Sequence, residues 1–66
     1  MIVFGKNVAK ELINNNIKIN KVYLSKNFDD KGILNFIENN NIRKTIMDKK
    51  DMDYKYKGNH QGIVLE

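Results

Sequence analysis

An asparagine triplet followed by isoleucine occurs twice in this chain, as Asn14-Asn15-Asn16-Ile17 and as Asn39-Asn40-Asn41-Ile42. Asparagine tolerates the left-handed backbone conformation at which many helices end, so each triplet predicts a helix terminus and a return of the chain toward the core. The stretch before each triplet fits that reading. Val8, Ala9, Leu12 and Ile13 recur at helical spacing before the first, with Asn7 as the N-cap. Ile33, Leu34 and Ile37 form a stripe before the second, with Phe36 at its margin and Asp29 or Asp30 as the cap. These are two similar helix-to-strand units and not a solenoid, because two copies cannot bury a repeating core.

Between the helices lie short apolar runs. Ile2-Val3-Phe4 stops at Gly5 and predicts a buried strand. Lys21-Val22-Tyr23-Leu24-Ser25 has the β-branched and aromatic content of a strand buried on both faces. Arg43 to Met47 predicts a third strand and Gly62-Ile63-Val64-Leu65 a fourth. Asp48 is placed to cap a short third helix, with Asp51 completing an imperfect capping box, Met52 facing inward and Gly58-Asn59 breaking the segment. The order β-α-β-α-β-α-β predicts an α/β fold. Its expected form is a three-layer α/β/α sandwich with a small mixed, mainly parallel four-stranded sheet and right-handed crossovers.

With 66 residues there is room for one domain, residues 1–66, and none for a self-contained cofactor cleft. Chains this short bury only about 60% of their unfolded surface. Without cysteine there is neither a disulfide nor a thiolate metal site, so packing must supply the stability. The formal charge of +4 favours a polyanionic partner. That total carries limited weight, because the basic residues are lysine except for Arg43, and the accompanying asparagine and isoleucine bias matches AT-rich coding. No signal-peptide pattern follows Met1, and no apolar run approaches the roughly 20 residues of a membrane span, so a cytoplasmic protein without a membrane partner is expected.

Catalysis finds little to work with. A Ser-His-Asp constellation would need Ser25 and His60, the single serine and histidine, to converge with an aspartate. A metal site would have to join His60 to carboxylates alone, and no ligand-spaced cluster exists. Asp48, Asp51 and Asp53 stand among Lys49, Lys50, Lys55 and Lys57 and read as a solvated helix surface. Neither a catalytic residue nor a metal ligand is assigned.

Two loops are more informative. In Gly5-Lys6-Asn7-Val8 a glycine turns the chain from a strand into a helix whose free N–H groups suit an anion, and Lys6 adds charge. Asn7 fits either a capping bond or a base edge and sugar hydroxyl. In Gly58-Asn59-His60-Gln61-Gly62, two glycines bracket three polar residues just before a strand. His60 and Gln61 fit either phosphate, ribose and base contacts or bonds that fix the turn. Tyr54 and Tyr56, interleaved with Lys55 and Lys57, fit either stacking on unpaired bases or packing beside the third helix.

These residues resemble a known family. Val3-Phe4-Gly5-Lys6-Asn7-Val8 with Leu12, Lys21-Val22-Tyr23-Leu24, Met47-Asp48-Lys49-Lys50-Asp51-Met52 and above all His60-Gln61-Gly62-Ile63-Val64 resemble the N-terminal substrate-binding domain of SpoU-type (TrmH-like) RNA 2′-O-ribose methyltransferases. The resemblance spans essentially all 66 residues, with Met52 where leucine is usual. It implies a fold akin to kink-turn-binding ribosomal proteins and a partner in RNA, expected to be ribosomal. Lys6, Asn7 and Lys10 are the implied RNA contacts, with His60 and Gln61 as a second candidate pair and Gly5, Gly58 and Gly62 as turns. Val8 stands where kink-turn binders carry a guanine-reading glutamate. The catalytic knotted domain, its S-adenosylmethionine and its homodimer contact are absent from these residues. The chain alone is therefore expected to bind RNA without modifying it, as a domain cut from a longer enzyme. A freestanding RNA-associated protein of the same fold and a protein-interaction module are the alternatives.

Overall fold

The two nine-residue helices end at the asparagine triplets. In the computed structural model, which describes residues 1–66, α1 spans Lys6–Asn14 and α2 spans Lys31–Asn39. The third asparagine of each triplet takes the left-handed conformation, Asn16 at φ 56° and Asn41 at φ 51°. Asn16 N–H donates to the Ile13 carbonyl and Ile17 N–H to that of Leu12; Asn41 and Ile42 repeat the pattern on Glu38 and Ile37. This crossed pair of bonds satisfies carbonyls that a helix end otherwise leaves open, and it turns Ile17 and Ile42 back toward their helices.

The helix starts are less alike. Asp30 caps α2 by accepting the Ile33 amide at 3.1 Å, which selects it over Asp29. For α1 the expected Asn7 cap is not formed. Gly5 occupies the N-cap position, the helix begins at Lys6, and Asn7 sits exposed in its first turn. The helix starts too early for it: Ala9 N–H donates to the Gly5 carbonyl at 3.0 Å, and the Lys6 amide ahead of Asn7 is held by Gln61 Oε1 at 2.8 Å. Asp48 precedes α3 (Lys49–Lys55) but makes no capping bond, because its carboxylate is held by Lys26 at 2.8 Å.

The strands β1 (Val3–Phe4), β2 (Lys21–Ser25), β3 (Arg43–Met47) and β4 (Ile63–Leu65) form one sheet in the order β1-β4-β2-β3. β2 and β3 are parallel, from Lys21 opposite Arg43 to Ser25 opposite Met47. β4 runs antiparallel to both of its neighbours, with Val64 opposite Phe4 on one side and Tyr23 on the other. Thus β1, β2 and β3 share a direction, but two of the three ladders are antiparallel, which corrects the expectation of a mainly parallel sheet. A parallel fourth strand would need a crossover that carries the chain back along the sheet. The seven residues of α3 cover only about 10 Å. The following residues then fold into tight turns, His60 N–H to Gly58 carbonyl and Ile63 N–H to His60 carbonyl, both at 3.1 Å. The chain therefore re-enters the sheet at the edge where β3 left it.

Alternation along the strands divides the core. Val22, Leu24, Ile63 and Leu65 pack with Ala9 of α1 and with Ile33 and Ile37 of α2. Val64 packs with Met52 and Tyr56, beside Phe4, Tyr23 and Met47. One side of the sheet thus carries two helices and the other only the short α3, so the layering expected from the sequence is thinner on the second side. β3 forms a sheet edge, and its residues Arg43 to Ile46 are exposed.

The Asp30 cap has a pH signature. The Ile33 amide holds the Asp30 carboxyl below its ordinary range, and the charge of Lys10, 3.6 Å away, adds to the effect. A carboxyl lowered by folding stabilises the fold above its unfolded pKa, about 4, and loses that contribution as pH falls through the lowered value. Asp30→Ala is expected to melt at a lower temperature than the parent chain near neutral pH, and the gap should close in strong acid. A gap that persists there would assign the loss to something other than the carboxylate.

Candidate functional site

Because β1, β2 and β3 share a direction, their carboxyl ends lie on one edge of the sheet, and β4 begins at that same edge. Open α/β sheets bind ligands at such an edge. Here it gathers the loops after Phe4, Ser25 and Met47 and the loop before Ile63. Between them is an open hollow of about 460 Å³ lined by Lys6, Ser25, Asn27, Phe28, Asp29, Lys49, Gln61 and Gly62. The lining offers ammonium groups, side-chain amides and a hydroxyl, with the Lys6 Nζ 5.7 Å from the centre of the Phe28 ring. A second hollow, at the opposite end of the sheet, is lined mainly by apolar residues such as Met1, Val3, Leu12, Ile17 and Leu65, with Lys18, Asn20 and Glu66 among them.

His60 shapes the edge from below. Its side chain is buried, at 3% exposure, and both ring nitrogens are engaged. Nδ1 accepts the Gly62 amide at 2.9 Å, which places the proton on Nε2, and Nε2–H donates to Asp53 Oδ1 at 2.5 Å. The ring therefore ties the loop to α3, and no nitrogen is left to serve Ser25 as a base. Gln61, at φ 55°, turns outward and caps α1 through the Lys6 amide. Gly62, at φ 84°, packs so closely that a Cβ there would lie 2.6 Å from Ser25 Oγ. At Gly58 a Cβ would lie 2.7 Å from the Phe4 ring. Gly5 is buried and donates its amide to the Ile63 carbonyl at 3.1 Å, so the first loop and the last strand are joined directly.

Charge at the rim is paired loosely. Lys49 lies 3.6 Å from Asp53, and Lys26 bonds Asp48 at 2.8 Å. Asp48 raises the Lys26 ammonium above its ordinary value, first through that hydrogen bond and then through its charge. Such exposed pairs are worth little and exchange readily with other anions.

Of the residues singled out in the sequence, the structure brings Lys6 and Gln61 together at the hollow, with Asn7 exposed beside them on α1. Lys10 lies one turn on, paired with Asp30 and outside the hollow. His60 supports the loop from within. Asn27, Phe28 and Lys49 were not singled out. The signal that finds them is directional: once β1, β2 and β3 are read as parallel, the residues after each strand belong to one edge.

The His60 brace makes a stability prediction. His60→Ala strands the buried Gly62 amide, and unfolding in urea should show a loss of about 1–3 kcal/mol. A loss near zero would mean that the loop is held without the imidazole.

No curated protein matches the chain. Residues 2–66 match the family described as RNA 2′-O ribose methyltransferase substrate binding. That match takes in all four loops of the edge as well as the four strands beneath them, and the chain belongs to this family of substrate-binding domains.

Proposed function

We propose that the chain recognises RNA through the carboxyl edge of its sheet, as the substrate-binding domain of an S-adenosylmethionine-dependent enzyme that methylates ribose in ribosomal RNA. One observation carries the assignment of the surface: Lys6 and Lys49 at two helix starts and Asn27 and Gln61 in two loops converge on one open hollow, in a member of an RNA substrate-binding family. Lysine ammonium groups suit phosphates, and the amides of Asn7 and Asn27 suit base edges and ribose hydroxyls. Lys10 extends the same charge along α1. His60 acts as a positioning residue, holding Gln61 at the rim.

The residues present do not fit a cofactor site. The hollow is open, and no buried side-chain nitrogen or oxygen in the chain is left without a partner for a cofactor to satisfy. S-adenosylmethionine, and the contact that makes the enzyme a homodimer, belong in this proposal to a catalytic domain outside these residues. A cytoplasmic site of action goes with the ribosomal substrate. No helix is long and apolar enough to cross a membrane.

The reading is tested by salt dependence. Binding to a folded ribosomal RNA fragment should weaken steeply as salt rises, and Lys6→Ala or Lys49→Ala should each weaken it and flatten the log–log slope by about 1. Circular dichroism should show the fold unchanged. Affinity that is negligible, or indifferent to salt, would instead favour a protein-interaction module.

A further inference from the structure

The two tyrosines of the Tyr54-Lys55-Tyr56-Lys57 stretch have opposite fates. Tyr56 is buried, 5.9 Å from Tyr23 between ring centres. Tyr54 is 82% exposed. Helix geometry accounts for the split: Met52 faces the sheet, Tyr56 follows four residues later on the same face, and Tyr54 points about 200° away from Met52. The other aromatic residues, Phe4, Tyr23, Phe28 and Phe36, are partly buried. Tyr54 is the one ring whose face is largely open to solvent.

Its surroundings distinguish it from a scattered surface residue. Lys50 lies one helical turn before it on the same face, and Lys57 follows just beyond the helix end. Neither lysine is within ion-pairing distance of a carboxylate, unlike Lys10, Lys26, Lys44 and Lys49. Lys55 is occupied over the Tyr56 ring at 5.6 Å. Of the two acids before Tyr54 on the helix, Asp53 is bonded to His60 and Asp51 is one of the charges acting on Lys26. The helix that carries the ring is also anchored, by Met52 and Tyr56 in the core and by the bond from Asp53 to His60. Finally, the helix starts at the edge described above, because its first residue, Lys49, lines the hollow.

A single exposed aromatic side chain needs no explanation. An open tyrosine on an anchored helix, with one unpaired lysine a turn before it and another three residues after it, beside a surface that recruits RNA, has the composition of single-strand binding grooves, where bases stack on rings and lysines follow the backbone. We infer that α3 forms a stacking platform for an unpaired base, with Tyr54 under the base and Lys50 and Lys57 on the flanking phosphates. The inference rests on the RNA-binding reading and specifies its substrate class: RNA with unpaired nucleotides next to a folded element. A paired base cannot use the platform, since its faces are covered by the stack.

The test compares the 66-residue chain and its variants on two RNAs, a hairpin with an unpaired loop and the same stem as a fully paired duplex. Tyr54→Ala should weaken hairpin binding about 5- to 100-fold, and Tyr54→Phe, which keeps the ring, should stay within about 2-fold of the parent. Neither change should alter duplex binding or the melting temperature. Equal losses on hairpin and duplex, or no loss on the hairpin, would overturn the platform while leaving the RNA-binding reading in place. Failure of the parent chain to bind either RNA would overturn both.

Discussion

The antiparallel entry of β4 between β1 and β2 is the constraint on which the rest of the molecule depends. Ile63, Val64 and Leu65 are all at most 2% exposed, and they contribute to both sides of the core. Without β4, β1 would lose its only pairing partner and β2 would be left with β3 alone. The hydrophobic alternation of three residues thus joins the α1 and α2 side to the α3 side. In a chain of 66 residues, where buried area is scarce, few positions tolerate exchange as poorly as these.

Because β4 starts at the edge where the other strands finish, the turn that feeds it is forced into the site. Gly62 has to approach Ser25, the His60 ring has to fill the space beneath the loop, and Gln61 is left facing out over the start of α1. Fold and site are therefore one construction at this edge. His60-Gln61-Gly62, the most distinctive motif of the sequence, fixes the turn in three ways: the His60 ring braces it from within, Gln61 Oε1 reaches out to the Lys6 amide, and Gly62 has no side chain.

Much of this architecture was legible in the sequence, and what was missed has physical causes that can be named. The helix ends could be read because the left-handed preference of Asn16 and Asn41 is local. The strands could be read because their apolar runs are short and bounded. The direction of β4 could not, since it depends on where a turn-rich connection delivers the chain, and a β-α-β-α-β-α-β order leaves that open. Asn7 does not cap because the helix begins ahead of it, at Lys6, whose amide is held by Gln61 from 55 residues away. Asp48 looks like a cap in isolation, yet Lys26 claims its carboxylate across the edge. The exposure of Tyr54 was within reach of periodicity: an inward Met52 already sends residue 56 inward and residue 54 out. At the starts of α1 and α3 a contact distant in sequence displaced a sound local preference.

The far end of the sheet has a practical consequence. Met1 and Glu66 both border the apolar hollow there, and the Glu66 backbone is latched to Lys21 by bonds of 2.8 and 3.4 Å. The two ends of the chain are thus neighbours, on the side away from the lysines and amides of the carboxyl edge. A fluorophore, surface tether or fusion partner attached at either end would leave that edge clear. The same closeness suits the domain to circular permutation, with Glu66 linked to Met1 and new ends opened elsewhere on its surface.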